Sequence, residues 1–473
     1  MKQGHLSAAI VALILSGCST MLTPAYERPD APVPQNWPTQ GSYEGAIFEG
    51  QTPAIDTGWK YFIRDERLRT LVEMALANNR DLRIAALNVK RARAAYGISR
   101  ADVFPSISAT GTATHAKGAR DVVGNQASRI SHNYSATLGF ASYELDFFGK
   151  IQNQTDASYE AWLQLAETRD ASQISLIAQV ISGFLNLAAD KERLKLAQDT
   201  FTSLEDSLRL TLKRHELKVS SQIDVTSAQA SLEAARVDIA NYRTAVAQDE
   251  NALALLIGAP VPAHLHPPLG LFDDATILEE VPTGLSSDIL LRRPDLRADE
   301  HALKAANANI GAARAAFFPS ITLTANVGTA STELGRLFNA GNGTWTFAPQ
   351  INLPIFAGGR LQSSLDQAKV SREIQIATYE KDVQTAFREV ADALAQRGTA
   401  DDVLQAQQAQ TDAYEKSYKL ARLRYKNGVD SYLSMLVYQR SYYAAQLSLL
   451  STRLSRQTNL VTLYKALGGG VSE

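Results

Sequence analysis

Two hydrophobic periods alternate along the chain. In Ile321-Thr322-Leu323-Thr324-Ala325-Asn326-Val327, apolar and polar residues take strict turns. Further on, Trp345, Phe347, Ile351 and Leu353 share one face while Thr344, Thr346, Gln350 and Asn352 share the other. Tyr134, Ala136, Leu138 and Phe140 repeat the pattern earlier in the chain, after a weaker copy in Ser106-Ile107-Ser108-Ala109-Thr110-Gly111. Period two with one apolar face predicts strands. Strands of roughly 10 residues suit an outer-membrane barrel; a soluble hairpin laid on a core has the same alternation. Elsewhere the period changes. Ile174, Ile177, Ile181, Phe184 and Ala188 recur at steps of three and four, as do Val383, Phe387, Val390 and Leu394. Such a seam predicts long paired helices, over 151–214 and 361–424.

The same elements are written twice. Asp81-Leu82-Arg83 recurs as Asp295-Leu296-Arg297, and Phe104-Pro105-Ser106-Ile107 as Phe318-Pro319-Ser320-Ile321, both 214 positions later. Arg214, Val219, Ser221, Gln229, Leu253 and Gly258 recur 210 positions later as Arg424, Val429, Ser431, Gln439, Leu463 and Gly468. Each half therefore reads as a helix (79–103 or 296–317) ending at Phe-Pro, a hairpin, a very long helix, a turn and a last helix (222–257 or 430–467). Proline ends the first helix because the residue before it is driven out of helical geometry. A helix over 151–214 would be about 96 Å long, and those over 79–103 and 222–257 about 37 and 54 Å. Stacked end to end, the two shorter helices match the long one, with segments 60–78 and 261–295 packed as a girdle near the junction. Two hairpins give four strands. An open sheet edge in lipid leaves backbone groups unpaired and barrels close from about eight strands upward, so the count calls for two chains or three.

Composition adds limits. The 473 residues carry 47 Lys plus Arg against 49 Asp plus Glu, a net charge of −2, which gives no basic footprint for nucleic acid. No apolar run is long enough for a spanning helix of about 18 residues, which excludes a polytopic helical membrane protein. The single cysteine, Cys18, follows the apolar stretch Ala8–Leu15 and the small residues Ser16 and Gly17. That arrangement resembles a bacterial lipobox: residues 1–17 are expected to be a cleaved signal peptide and Cys18 to carry covalent lipid, palmitate included. Ser19 in the next position favours sorting to the outer membrane by analogy with lipoproteins. Residues 18–60, rich in proline between Pro24 and Pro34, read as a lipidated extended arm. The expected division is then 61–260 for the first repeat (hairpin about 106–145, helical hairpin about 151–257) and 261–470 for the second (hairpin about 320–354, helical hairpin about 361–467).

No catalytic constellation is visible: no dinucleotide or phosphate-binding glycine loop and no HExxH. His215-Glu216 lacks a second histidine. His264 and His266, Asp273-Asp274 and Glu279-Glu280 read as solvated loop groups, and Gly468-Gly469-Gly470 as a helix end. The chain is expected to be no enzyme, to hold no metal and to need no cofactor beyond the lipid.

Taken in order, Leu15-Ser16-Gly17-Cys18, Asn79-Arg80-Asp81-Leu82-Arg83, Tyr143-Glu144-Leu145-Asp146-Phe147-Phe148-Gly149, Arg292-Arg293-Pro294-Asp295, Phe318-Pro319-Ser320-Ile321, Leu353-Pro354-Ile355-Phe356, Arg424-Tyr425-Lys426-Asn427-Gly428-Val429-Asp430 and Leu463-Tyr464-Lys465-Ala466-Leu467-Gly468 resemble the TolC/OprM-like outer-membrane efflux channels, the lipoprotein branch closest to OprM. The resemblance implies a mixed, mostly helical fold. It implies a homotrimer whose twelve-stranded barrel in outer-membrane lipid continues into a periplasmic α-helical tunnel. It also implies partners: a periplasmic adaptor and an inner-membrane transporter of the resistance–nodulation–division type. The function so implied is a passive gated duct exporting drugs and other small molecules in multidrug resistance. Alternatives are an exit duct for metal ions or type I secreted proteins, or a lipid-anchored periplasmic coiled-coil scaffold.

The mechanism of such a duct would sit at the two helix–turn–helix tips, about 214–224 and 424–434. By resemblance, Arg424 and Tyr425 with Arg440 tie neighbouring helices in the closed state, with Asp224 and Asp430 as charge partners. Gly428 and Val429, with Val219 and Ser221 in the other tip, carry adaptor docking. Lys218 stands where the first tip would have its glycine. Family members often carry aspartates ten and thirteen residues after the tip arginine. Here those positions are Ser434 and Val437, so an acidic ring would fall to Asp224, and Val437 would offer a hydrophobic constriction able to gate by dewetting.

Overall fold

The computed structural model describes residues 22–47, 53–119, 130–273, 276–278, 280–284 and 286–471. Cys18, Asp274 and Glu279 lie outside the described residues. The principal elements, in chain order, are α1 (Glu66–Asn78), α2 (Arg80–Ala101), β1 (Ser108–Lys117), β2 (Ile130–Leu145), α3 (Lys150–Glu216), α4 (Gln222–Ile257), α5 (Pro294–Ala315), β3 (Ser320–Ser331), β4 (Gly343–Asn352), α6 (Arg360–Lys426) and α7 (Tyr432–Ala466). At 67 residues each, α3 and α6 are about 100 Å long. The chain divides into two compact units. The first takes residues up to Pro29, Asn88–Leu165 and Ala298–Tyr379; the second takes Asp30–Leu87, Ala166–Arg297 and Glu380 onward.

The first unit holds one antiparallel sheet, in the order β1-β2-β3-β4. Its register places Ala109 opposite Leu138, Leu138 opposite Val327 and Val327 opposite Trp345. One face thus collects Tyr134, Leu138, Phe140, Leu323, Val327, Trp345, Phe347 and Ile351, and the other collects Thr112, Thr114, Asn133, Ser135, Thr137, Asn326, Thr344 and Thr346. The apolar face is bare: Trp345 is 77% and Ile351 69% exposed. That excludes the soluble-hairpin arrangement, in which this face would lie on a core. β1 and β4 are the two edges, with no further strand paired to them among the described residues. The alternation breaks once. Between Phe140 and Tyr143 the register shifts, Ser142 takes a left-handed φ of 54°, and its N–H donates to Thr324 Oγ1 at 3.1 Å. Bulges of this kind bend a strand and re-aim the side chains beyond them. Tyr143 is thereby turned so that its hydroxyl donates to the Val103 carbonyl at 2.8 Å, tying β2 to the segment after α2. In the same unit, Phe148 stacks on Phe318 with centroids 4.8 Å apart. The Thr155 hydroxyl donates to the Ser99 carbonyl at 3.2 Å, which ties α3 to α2.

The proline-rich segment runs extended against α5. Arg314 donates to the Leu22 carbonyl at 2.9 Å, Asn307 to the Pro24 carbonyl at 2.8 Å, and Arg28 to Glu300 at 2.7 Å. Tyr26 lies beneath the Lys304 ammonium, and burial pushes its phenol well above the ordinary range.

In the second unit, the ends of the short helices meet as their lengths suggest. Asn79, at the start of α2, donates through Nδ2 to the carbonyl of Leu256, in the last turn of α4, at 2.8 Å. The repeat-related contact runs from Arg293, at the start of α5, to the carbonyl of Ala466, in the last turn of α7, at 2.7 Å. Orphan carbonyls at a helix end need such donors. Gly258 closes α4 with φ 73°, and a Cβ there would lie 2.5 Å from the Asn78 carbonyl, so the junction admits no side chain. Arg293 is 8% exposed, and its charge is matched by Asp295 at 2.6 Å and Glu389 at 3.0 Å. The girdle segments pack here. Asp65 caps α1, Ile63 bridges Ile277, and Phe62 lies flat on Tyr464 with centroids 4.0 Å apart.

Two expectations need correction. α3 does contain one 18-residue window with mean hydropathy 1.3, long and apolar enough to cross a membrane by that measure. Over half of that window is buried inside the protein, because Ile177, Ile181, Phe184 and Leu185 form its packing seam. α7 starts at Tyr432 and not at Asp430, because Ser431 is its N-cap, accepting from the Ser434 N–H at 3.2 Å.

Candidate functional site: two helix–turn–helix tips

Both tips belong to the second unit, and their backbones match. In one, the Val219 N–H donates to the Arg214 carbonyl and the Lys218 N–H to the His215 carbonyl; in the other, Val429 donates to Arg424 and Gly428 to Tyr425. These are the paired bonds of a Schellman-type helix end. The geometry demands one left-handed residue per tip. Gly428 takes it at φ 76° without strain, whereas Lys218 takes it at φ 60° against its own Cβ.

Beneath the tips is a shared core. Leu204 and Leu208 of α3, Ala228, Leu232 and Ala235 of α4, Ala421 and Tyr425 of α6, and Tyr432, Met435 and Leu436 of α7 pack together. Tyr425 is its centre, 3% exposed. Its hydroxyl pairs with that of Thr211 at 3.0 Å, its ring meets Tyr432 edge-on at 5.6 Å, and the Arg214 guanidinium sits over its face at 4.8 Å. Arg214 also donates to the Tyr425 carbonyl at 2.9 Å, so one side chain of the first tip grips both the ring and the backbone of this residue. Burial pushes the Tyr432 phenol up to about 12.

The charged candidates sort differently. Arg424 points outward and forms a two-pronged pair with Asp430 across its own turn, at 2.6 and 3.0 Å. Hydrogen bonding to Arg424 holds the Asp430 carboxyl below its usual range. Arg440 is not part of this pair; it donates to Ser231 Oγ at 3.0 Å and ties α7 to α4. Asp224 is engaged in a capping box. It accepts from the Ser221 N–H and the Ser220 hydroxyl, both at 2.9 Å, while its own N–H donates to Ser221 Oγ at 3.1 Å. Those hydrogen bonds hold its carboxyl low against the opposing effect of burial. Ser434, in the repeat-related position, has no carboxylate to close a second box. Val219, Val429 and Val437 are exposed, as are Leu217, Ile223 and Leu433 around them.

Arg214, Thr211 and Tyr432 join the site without a role that sequence reasoning assigns them. Arg214 has a visible signal, being the repeat partner of Arg424, but its target lies 211 positions away, beyond any local pattern. Among the described residues no group of three or more His, Cys, Asp or Glu side chains could hold a metal ion.

The profile described as Outer membrane efflux protein matches residues 71–259 and 285–469. The chain is 47% identical over 470 residues to the toluene efflux pump outer membrane protein TtgC of Pseudomonas putida, covering 99% of this chain and 96% of that one. The same figures hold for the antibiotic efflux pump outer membrane protein ArpC of Pseudomonas putida. The open-state crystal structure of the Neisseria gonorrhoeae MtrE outer membrane channel superposes with a TM-score of 0.86 at 40% identity, covering 96% of this chain and 99% of that one. Two repeats, each with its short helices meeting end to end, and a sheet with one bare apolar face fit these relatives, and the chain belongs to the outer membrane efflux protein family, as a non-enzymatic channel protein of TolC-like fold.

Proposed function

We propose that the protein is the outer-membrane exit duct of a tripartite pump that expels organic solvents and antibiotics. The relatives are named for toluene and antibiotic efflux, and the cargo reading rests on that likeness. The observation that carries the assembly is the four-stranded sheet with two free edges. An open edge in lipid is untenable, so the sheet is completed by further copies of the chain, three chains in all giving a twelve-stranded barrel. Bare apolar side chains then meet lipid, and the threonine- and asparagine-rich face lines the lumen. Residues 61–260 and 261–470 act as two structural repeats, each contributing one hairpin to this sheet, after a signal peptide (1–17) and an arm (18–60). Cys18 carries the lipid that adds a second hold on the membrane.

The tips are the moving and docking parts. Arg424, Tyr425, Asp430, Arg440, Asp224 and Val437 make up the gate, while Gly428, Val429, Val219 and Ser221 present the surface for a periplasmic adaptor. The adaptor in turn joins an inner-membrane transporter of the resistance–nodulation–division type, which supplies the energy. The test is a deletion strain complemented with the wild-type gene and assayed for toluene and antibiotic tolerance, beside planar-bilayer conductance and mass of the purified protein. Restored tolerance, conductance and a trimeric mass are expected. A monomeric mass with no conductance would sink the duct.

A further inference from the structure

The described residues contain one histidine pair that neither the fold nor the gate uses. His115 on β1 and His132 on β2 are directly opposite in the register. They lie two positions inside the strand ends Lys117 and Ile130, at the end of the hairpin remote from α2 and α3. Opposed residues on neighbouring strands bring their Cβ atoms to about 5 Å, close enough for both rings to reach a common point. Here the two Nδ1 atoms face each other in a hydrogen bond, with ring centroids 4.7 Å apart and planes at 72°. Tyr134, on the same face, braces His115 edge-on at 5.5 Å. Both imidazoles are exposed. Without a metal, one Nδ1 must carry a proton and the other a lone pair for this bond to form.

We propose that His115 and His132 form a two-imidazole binding site for a divalent transition-metal cation, with Cu²⁺ the preferred ion. Neutral imidazole nitrogens suit copper, nickel and zinc, and the affinity order of a given nitrogen site peaks at copper. When the ion enters, the proton on the donor Nδ1 moves to Nε2 of the same ring, so that both Nδ1 lone pairs face the metal. The pair shares the face that meets lipid but lies at the strand ends, past its apolar middle, and among the described residues no third protein ligand stands nearby, so water completes the coordination and the site exchanges readily with solution. Bound there, the ion clips β1 to β2 at the root of the segment that joins them.

The test is titration of the purified full-length channel in detergent with CuCl₂, followed by calorimetry and electron paramagnetic resonance. One Cu²⁺ per chain is expected, with hyperfine structure from two nitrogen ligands. His115→Ala and His132→Ala are each expected to weaken binding by about tenfold or more, since even outer-shell losses cost that much at metal sites. The double variant should lose no more than the weaker single, and His264→Ala with His266→Ala should leave binding intact. Unchanged binding in either single variant would overturn the site, as would its loss in the His264/His266 control. The unaltered protein decides independently of any folding defect: a copper spectrum without nitrogen hyperfine structure would mean a hydrogen-bonded pair that takes no metal.

Discussion

The two tips share a backbone and differ in how they hold it. The α3–α4 tip is closed by a capping box and accepts strain at Lys218; the α6–α7 tip has an unstrained Gly428, a plain serine cap and an outward ion pair. Arg214 turns inward to grip Tyr425, whereas its repeat partner Arg424 turns outward to Asp430. The two repeats therefore differ in role: one tip is the clamp, and the other is the clamped member, with Tyr425 and Tyr432 buried beneath its turn. A gate built from identical tips would have no preferred element to release first; under the function proposed above, this difference between the tips would supply one.

The largest effect is expected at the residue both tips share. Tyr425→Ala removes a buried aromatic side chain, at a cost of about 3–5 kcal/mol. It should raise resting conductance in bilayers and lower the thermal midpoint of the purified channel. Tyr425→Phe deletes only the bond to Thr211 and should cost about 1 kcal/mol. Equal effects of the two would move the importance of Tyr425 from its ring to its hydroxyl. Next comes Arg214→Ala, which frees the Tyr425 carbonyl and ring face together. Its conductance should rise further than that of Arg424→Ala, whose partner Asp430 stays in water. The opposite order would reverse the assignment of clamp and clamped. Exchanging the left-handed residues comes third. Gly428→Val imposes about 1–2 kcal/mol of backbone strain and should impair solvent tolerance in cells with little change in trimer mass, while Lys218→Gly should raise the melting temperature slightly.

The smallest effect is a pH dependence. Because Arg424 depresses the Asp430 carboxyl, the pair's contribution is fully present above the unfolded carboxylate pKa of about 4 and is lost as pH falls through the lower folded value. Resting conductance should stay level from about pH 7 to about pH 5 and rise only in stronger acid. Asp430→Asn should show that raised level at neutral pH. A rise already near pH 6 would point to another group.

Much of this was legible because it is periodic. Ile174 to Ala188 marked α3, and Trp345 to Leu353 marked β4, since three-and-four and two-residue periods report which face is covered. The repeat offset, together with helix lengths, located the Asn79–Leu256 and Arg293–Ala466 junctions within a few residues. What escaped is aperiodic. The bulge at Ser142 is a single residue that breaks a pattern without a glycine to announce it. The left-handed Lys218 was visible only as a missing glycine. The grip of Arg214 on Tyr425 depends on four helices meeting, and no local spacing encodes which of two related arginines turns inward.

The two free edges of the sheet carry a consequence for inheritance. If β1 of one copy completes β4 of the next, a variant chain with intact edges but a faulty tip still enters the barrel beside normal chains. In a cell carrying both alleles most assemblies would be mixed, so a gate defect would behave as a dominant trait. A defect in β1 or β4 would exclude its own product and stay recessive.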